Sequence, residues 1–270
     1  MAPKVIFLMA DYGHDPTVHV PTHCPSHRSG LLEAAIPWKV FGEAGFDITF
    51  ATETGKQPVC DSRMLTGWTG ALLGAPKVAK EAYKTFSQDS RVQNPASWTD
   101  PSLKLEDYDL VFLPGGHDKG VQQIIDSPRV HELLAAYFPK TARPSTKSLV
   151  AICHGVQVLA TASSAEDKSK SVIHDVQTTA LPGFMEQSIF YATWPFLGDY
   201  YKTYGAGTDS VQEIVTKRLD SPSLFKNSLS PSPFVVADPK YNYLSGRFPP
   251  DAELLAQKAV AMVKELTGSS

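Results

Sequence analysis

"LVAICHGVQVL", residues 149–159, runs from an apolar stretch through a single cysteine into a helical pattern. Ser148 to Ile152 read as a buried strand, and Val156, Val158 and Leu159 as the apolar positions of the helix that follows. A strand that enters a helix through one residue forces a tight, strained turn. Such a turn lifts the side chain of Cys153 clear of the C-terminal edge of the sheet. The amides and positive dipole end of the helix then favour thiolate over thiol. A nucleophile would stand in that place. The five-residue pattern A-x-C-x-G, with Ala151 where glycine is more usual, leaves a buried structural cysteine as the alternative.

Working outward, "DYDLVFLPGGHDKG" at 107–120 repeats the arrangement: a strand, Leu110 to Leu113, ends in Pro114, Gly115 and Gly116. Glycines there allow backbone dihedrals that turn amides toward the same edge. The amides of Gly116 and His154 would flank an oxyanion formed by attack of Cys153 on a carbonyl; a plain turn is the alternative. Further strands are expected at Val5 to Met9, Asp47 to Ala51 and Val176 to Ala180. Between them lie an amphipathic helix over Leu31 to Ala44, expected to kink at Pro37, and a helix over Gly155 to Ala162. A hairpin around Asp238-Pro239 and a C-terminal helix, "PPDAELLAQKAVAMVKELTG", complete the chain. Short apolar runs alternating with amphipathic helices predict an α/β fold, a doubly wound and mostly parallel sheet with helices on both faces. Residues 61–107 and 183–232 read as insertions in one domain spanning 1–270, without repeats.

Composition bounds the rest. A chain of 270 residues with 42% hydrophobic content can bury a substantial core. Its formal charge of −3 and lack of a basic run argue against nucleic acid and anionic membranes as partners. The apolar run near the N-terminus is too short to span a bilayer. Three cysteines, Cys24, Cys60 and Cys153, suit a reducing compartment, so a cytoplasmic location is expected.

"LPGGHD", "AICHG" and "GLLEAAIPWKVFGEAGFDITFAT" together resemble the ThiJ/PfpI superfamily, whose fold is that of class I glutamine amidotransferases. The match is in order over most of the chain, and its longer branch, with glutathione-independent glyoxalases and stress chaperones, is the more similar. The resemblance implies Cys153 as nucleophile and Glu33, in E-x-x-x-P with Pro37, as the glutamate beside it. A protonated Glu33 would hydrogen-bond the sulfur and shuttle a proton, which requires a carboxyl pKa raised by burial and by the sulfur's charge. The alternative, an exposed helix glutamate, fits poorly with the apolar "LLEAAI" around it. The resemblance also implies an acid that orients His154, and in "TTALPGFMEQ" it points to Glu186. Asp175 precedes the expected strand and would sit at its far end, and Glu186 could instead be a carboxylate serving a helix dipole.

Two segments stand apart. "DYGHDPTVHVPTHCPSHRSG" at 11–30 holds His14, His19, His23 and His27 with Cys24 and Asp15. Its spacing matches no compact zinc module, so it is read without a metal, as a loop at the C-terminal end of the first strand with His14 or His19 lining the pocket. "FYATWPFLGDYYKTYGAG" at 190–207 supplies Trp194, Tyr200, Tyr201 and Tyr204. Aromatics so dense are usually core or interface, but some, with Trp68 and Gly115, are expected to wall the site and to suit a substrate larger and more apolar than methylglyoxal.

The expected function is a cofactor-independent enzyme whose Cys153 attacks an electrophilic carbonyl, as in glyoxalase III-like conversion of 2-oxoaldehydes to 2-hydroxy acids. The rivals are a hydratase or a specialised lyase or isomerase on a bulkier apolar substrate, and a redox sensor or holdase chaperone built on an oxidisable thiol. The expected partner is a small electrophilic molecule, and by analogy with the superfamily a second copy of the chain.

Overall fold

The structure is a computed structural model and describes residues 2–14, 33–60 and 77–269, the side chains of His14 and of residues 77–80 excepted. In chain order the main elements are β1 (Lys4–Leu8), β2 (Tyr12–His14), α1 (Ala35–Glu43), β3 (Asp47–Thr52), β4 (Val59–Cys60), α2 (Lys77–Ser87), β5 (Ala96–Ser97), β6 (Leu110–Leu113), α3 (Pro128–Tyr137), β7 (Ser148–Ile152), α4 (His154–Thr161), α5 (Gly183–Leu197), α6 (Val211–Thr216), β8 (Val235–Ala237), β9 (Tyr243–Gly246) and α7 (Ala252–Thr267).

Seven strands form one sheet in the order β5-β3-β1-β6-β7-β9-β8, parallel except for the β8–β9 hairpin. The chain moves outward from β1 through β3 to β5, then returns to β6 on the other side of β1. That reversal opens a crevice at the C-terminal ends of β1 and β6, where open α/β sheets place their ligands.

The central strands are apolar on both faces because both faces are covered. Ile6, Leu8, Val111, Leu113, Leu149 and Ala151 point into a core shared with α3 and α4. Val5, Phe7, Leu110, Phe112, Val150 and Ile152 point into a second core with α1 and α7. The second is rich in phenylalanine: Phe7 packs within 6 Å, centroid to centroid, of Phe41, Phe50 and Phe112. Each such buried side chain contributes about 1.5–3 kcal/mol. Helix α1 stops at Gly45, whose φ of 81° lets Phe46 N–H reach back to the Phe41 carbonyl.

Three expectations are corrected. Pro37 does not kink α1, because it lies in the first turn, where its missing N–H has no intrahelical acceptor in any case. Val176 to Ala180 is buried but is no strand; the edge of β7 is taken by β9, and Thr178 makes a single bridge to Phe225. Residues 77–107 are more than a helix and loop, since β5 adds to the main sheet beside β3. Residues 183–232 carry α5 and α6.

Candidate active site

Cys153 adopts φ 57° and ψ −123°, and it is the one non-glycine residue with positive φ among those described. A bulky L side chain there costs of order 1–3 kcal/mol, a strain that surrounding structure must hold. The hold is visible. The Cys153 amide donates to the Gly246 carbonyl at the end of β9. On the other side, α4 presses against the end of β6: a Cβ at Gly155 would lie 2.2 Å from the Leu113 carbonyl oxygen. Only glycine lets the helix start so close to the strand, and the elbow follows from that contact.

Gly115 has the same kind of explanation. A Cβ there would lie 2.1 Å from Glu33 Oε2 and 2.6 Å from Cys153 Cβ. The carboxylate from the start of α1 and the cysteine from the end of β7 therefore crowd the spot that a side chain at 115 would fill. Both are buried, Glu33 at 1% exposure and Cys153 at 5%. The neighbouring Gly116 holds φ 151°, a conformation that favours glycine.

His154 follows directly. Its Nδ1 lies 3.4 Å from Cys153 Sγ, and its Nε2 lies 3.0 Å from the hydroxyl of Thr203. That hydroxyl donates in turn to the His117 carbonyl at 2.8 Å. The expected triad is corrected here. Glu186 stands close by, but one of its oxygens accepts from the Val211 amide at 2.8 Å and the other pairs with Lys202 Nζ at 3.1 Å. Burial pushes the Glu186 carboxyl above its ordinary range, and the Val211 amide and Lys202 pull it down without cancelling that effect. The hydroxyl of Thr203 occupies the position expected of an acid. Asp175 pairs with Lys240 in the β8–β9 turn, at the opposite edge of the sheet from Cys153.

These groups wall a cavity of about 40 Å³ lined by Glu33, Gly116, His117, Cys153, His154, Leu181, Met185, Glu186, Ile189, Tyr201 and Phe248. A single water needs roughly 10–15 Å³ by the same kind of measure, so the space suits a few heavy atoms. The aromatics of the 190–207 run divide around this cavity. Trp194 is 56% exposed on α5 and does not reach the cavity. Tyr200 packs with Phe190 and Tyr201 in a small separate cluster and meets His117 edge-on. Of that run, the aromatic that lines the cavity is Tyr201, stacked on the His117 ring at 4.6 Å. Trp68, His19, His23, His27 and Cys24, and the side chain of His14, lie outside what the structure describes. Among the described residues no group of three or more His, Cys, Asp and Glu is placed to hold a metal ion.

Sequence reasoning missed His117, Thr203 and Lys202. His117 had a signal, since it follows the glycine pair directly in "LPGGHD". Lys202 and Thr203 sit inside "YYKTY", where the aromatics mask two polar residues that turn inward.

A parallel sheet reversing at β1/β6, with a cysteine on a strained strand-to-helix turn and a buried carboxylate beside it, defines an α/β protein with a strand-to-helix elbow at the sheet's C-terminal edge. Residues 29–245 match the family model described as ThiJ/PfpI family-like, and the chain belongs to that family. It is 31% identical to the uncharacterized protein C14C4.04 of Schizosaccharomyces pombe over 94% of this chain and 81% of that one. It is also 28% identical to the glutathione-independent glyoxalase hsp3102 of the same yeast, over 57% of this chain and 58% of that protein. Among solved structures, glyoxalase III from Candida albicans superposes with a TM-score of 0.62 at 17% identity, covering 96% of this chain and 97% of that one. The Rapid Encystment Protein 24 KDa of Francisella tularensis superposes with a TM-score of 0.62 at 15% identity, over 97% and 99%. At those identities the structural likeness is one of fold. No helix among the described residues is long and apolar enough to cross a membrane.

Proposed function

We propose that the protein is a cysteine-dependent enzyme, without a cofactor, that converts small 2-oxoaldehydes to 2-hydroxy acids. The observation that carries the reading is the meeting of Glu33 and Cys153 across Gly115. A thiol on an elbow is a nucleophile; a carboxyl beside it supplies the proton transfer that an aldehyde-to-acid isomerisation needs. The small cavity adds support, because it fits a few heavy atoms and so departs from the bulky substrate that the aromatic run suggested.

The steps balance as follows. Cys153 sulfur adds to the aldehyde carbon and the carbonyl oxygen takes a proton, giving a hemithioacetal. Glu33 removes the hydrogen from that carbon while the neighbouring ketone becomes an enediol. The same carboxyl returns the proton to the former ketone carbon, leaving a thioester of the 2-hydroxy acid. Water then cleaves the thioester and restores the thiol. The net reaction adds one water and no redox partner is required. In this reading the amides of Gly116 and His154 face the oxyanion, and His154 takes the thiol proton.

Purified protein is expected to convert methylglyoxal to lactate, and Cys153→Ala and Glu33→Gln are each expected to lower turnover by at least about a hundredfold. Full activity in either variant would falsify the mechanism. Addition of water to a small apolar electrophile is the second reading, favoured by the walls of Leu181, Met185, Ile189 and Phe248. No methylglyoxal turnover beside Cys153-dependent hydration of an apolar substrate would select it.

A further inference from the structure

We propose that Thr203 is the positioning residue for His154, and that its hydroxyl, in place of a carboxylate, sets the imidazole tautomer that faces the Cys153 thiol. The inference deepens the reading of Cys153 as the reacting group and rests on it.

A threonine hydroxyl has one hydrogen to give. The His117 carbonyl oxygen, 2.8 Å away, can only accept, so the Thr203 hydrogen is committed to it. If that hydrogen pointed at His154 instead, two oxygens would face each other lone pair to lone pair at 2.8 Å. With its hydrogen so committed, the Thr203 oxygen acts toward His154 Nε2, 3.0 Å away, as an acceptor. Nε2 therefore carries the ring proton. In the neutral imidazole that leaves Nδ1 bare, and Nδ1 is the atom 3.4 Å from Cys153 Sγ. The chain of donors runs from the thiol through Nδ1, Nε2–H and the threonine hydroxyl to the His117 carbonyl, and every member is in its proper role.

The receiving end is held firmly. Thr203 is buried, and the turn that carries it is tied to residues 117–126 at several points. Gln122 Nε2 donates to the Thr203 carbonyl, Lys119 pairs with Asp199 at 2.8 Å, and the Tyr204 hydroxyl donates to Asp126 at 2.7 Å. Glu186, the nearby carboxylate, is engaged by Lys202 and Val211. A hydroxyl orients the ring as a carboxylate would, but it carries no charge to offset the imidazolium that forms when His154 takes the thiol proton. Among the described residues, the other ionisable groups lining the cavity are Glu33, His117, Glu186 and Tyr201, with Lys202 behind Glu186.

Two measurements test this without needing turnover, so failure here is distinguishable from failure of the 2-oxoaldehyde reading. The first is nitrogen-15 NMR of the His154 ring in Cys153→Ala, which removes the sulfur, at about pH 8.5, above the ordinary imidazole range. Protonated Nε2 and bare Nδ1 are expected; the opposite tautomer overturns the assignment. The second is the rate of Cys153 alkylation by iodoacetamide near pH 7. Thr203→Val, which keeps the shape and removes the acceptor, is expected to slow it about tenfold or more, the worth of one buried hydrogen bond. Thr203→Ser keeps the hydroxyl and is expected to stay within about threefold of the parent rate. Equal rates for the parent and Thr203→Val overturn the proposal, and so does a loss in Thr203→Ser as large as that in Thr203→Val.

Discussion

Helices α4 and α5 both begin at the wall of the cavity over Cys153, and both are apolar in sequence, yet they are held in different ways. Helix α4 is buried from His154 to Ala160, with Gly155 pressed on the end of β6 and the strand β7 leading directly into it. Helix α5 is fastened mainly at its first turns, where the buried Glu186 reaches Lys202 and the Val211 amide. Further along, Phe190 packs with Tyr200 and Tyr201, while Phe184, Tyr191, Trp194 and Phe196 are exposed. Close backbone contact fixes one helix; a buried charge pair and one small aromatic cluster fix the other. The difference teaches that apolar content says a helix wants cover, while the neighbours decide which face receives it.

The strongest way to break the comparison is to remove the anchor of α5. Lys202→Met leaves Glu186 buried without its cation, and the loss of one partner from such a pair costs about 3–5 kcal/mol. A urea midpoint measures it. The same pair gives a pH dependence with a definite sign. Because burial raises the Glu186 carboxyl above its unfolded value, the folded state holds the proton to higher pH than the unfolded chain does. Its contribution to stability is therefore largest below the unfolded value and falls as pH rises from there through the raised folded value. The double variant Glu186→Gln/Lys202→Met removes that fall. Stability of the parent relative to the double variant is expected to decline across this window, and a rise would contradict the burial argument.

The anchor of α4 is tested by Gly155→Ala. Its new methyl would meet the backbone of Leu113 and Pro114, which cannot swing aside as a side chain would. Overpacking of this kind costs about 1–3 kcal/mol. The elbow must also shift away from β6, so alkylation of Cys153 should change together with the melting temperature. A variant with parent stability and an unmoved thiol reactivity would show that α4 is held by something other than this close approach.

What could be read in advance follows the same division. β6 and β7 were legible residue for residue, because a strand buried on both faces needs an uninterrupted apolar run and ends where Pro114 and its glycines or a lone cysteine interrupt it. Glu33, Gly115, Gly116 and Cys153 were legible because each lies beside its own strand or helix end. Thr203 was not, since its role depends on a turn at 199–204 folding back on residues 117–126, far away in sequence. For Glu186, sequence position brought the residue to the cavity but could not name its partner; Lys202, sixteen residues on, was the nearer charge. Val176 to Ala180 shows the converse, a β-like run denied a place because β9 already holds the edge of β7.

The smallest expected effect concerns the outer face of α5. Phe184 and Tyr191 are seven residues apart and Trp194 three further on, so the three share one side of the helix, while Phe196 points elsewhere. Trp194 is 56% exposed, and replacing an exposed side chain that nothing among the described residues covers changes stability by no more than about 0.5 kcal/mol. Trp194→Ser should accordingly leave both the urea midpoint and the reactivity of Cys153 unchanged, in contrast to Lys202→Met. A cost of about 2 kcal/mol or more would mean that the face is buried in solution. In that case the cost should grow with protein concentration if a second copy provides the cover, because association stabilises by mass action. A concentration-independent cost would place the cover within the chain itself and would bring α5 closer to α4 than their contacts now suggest.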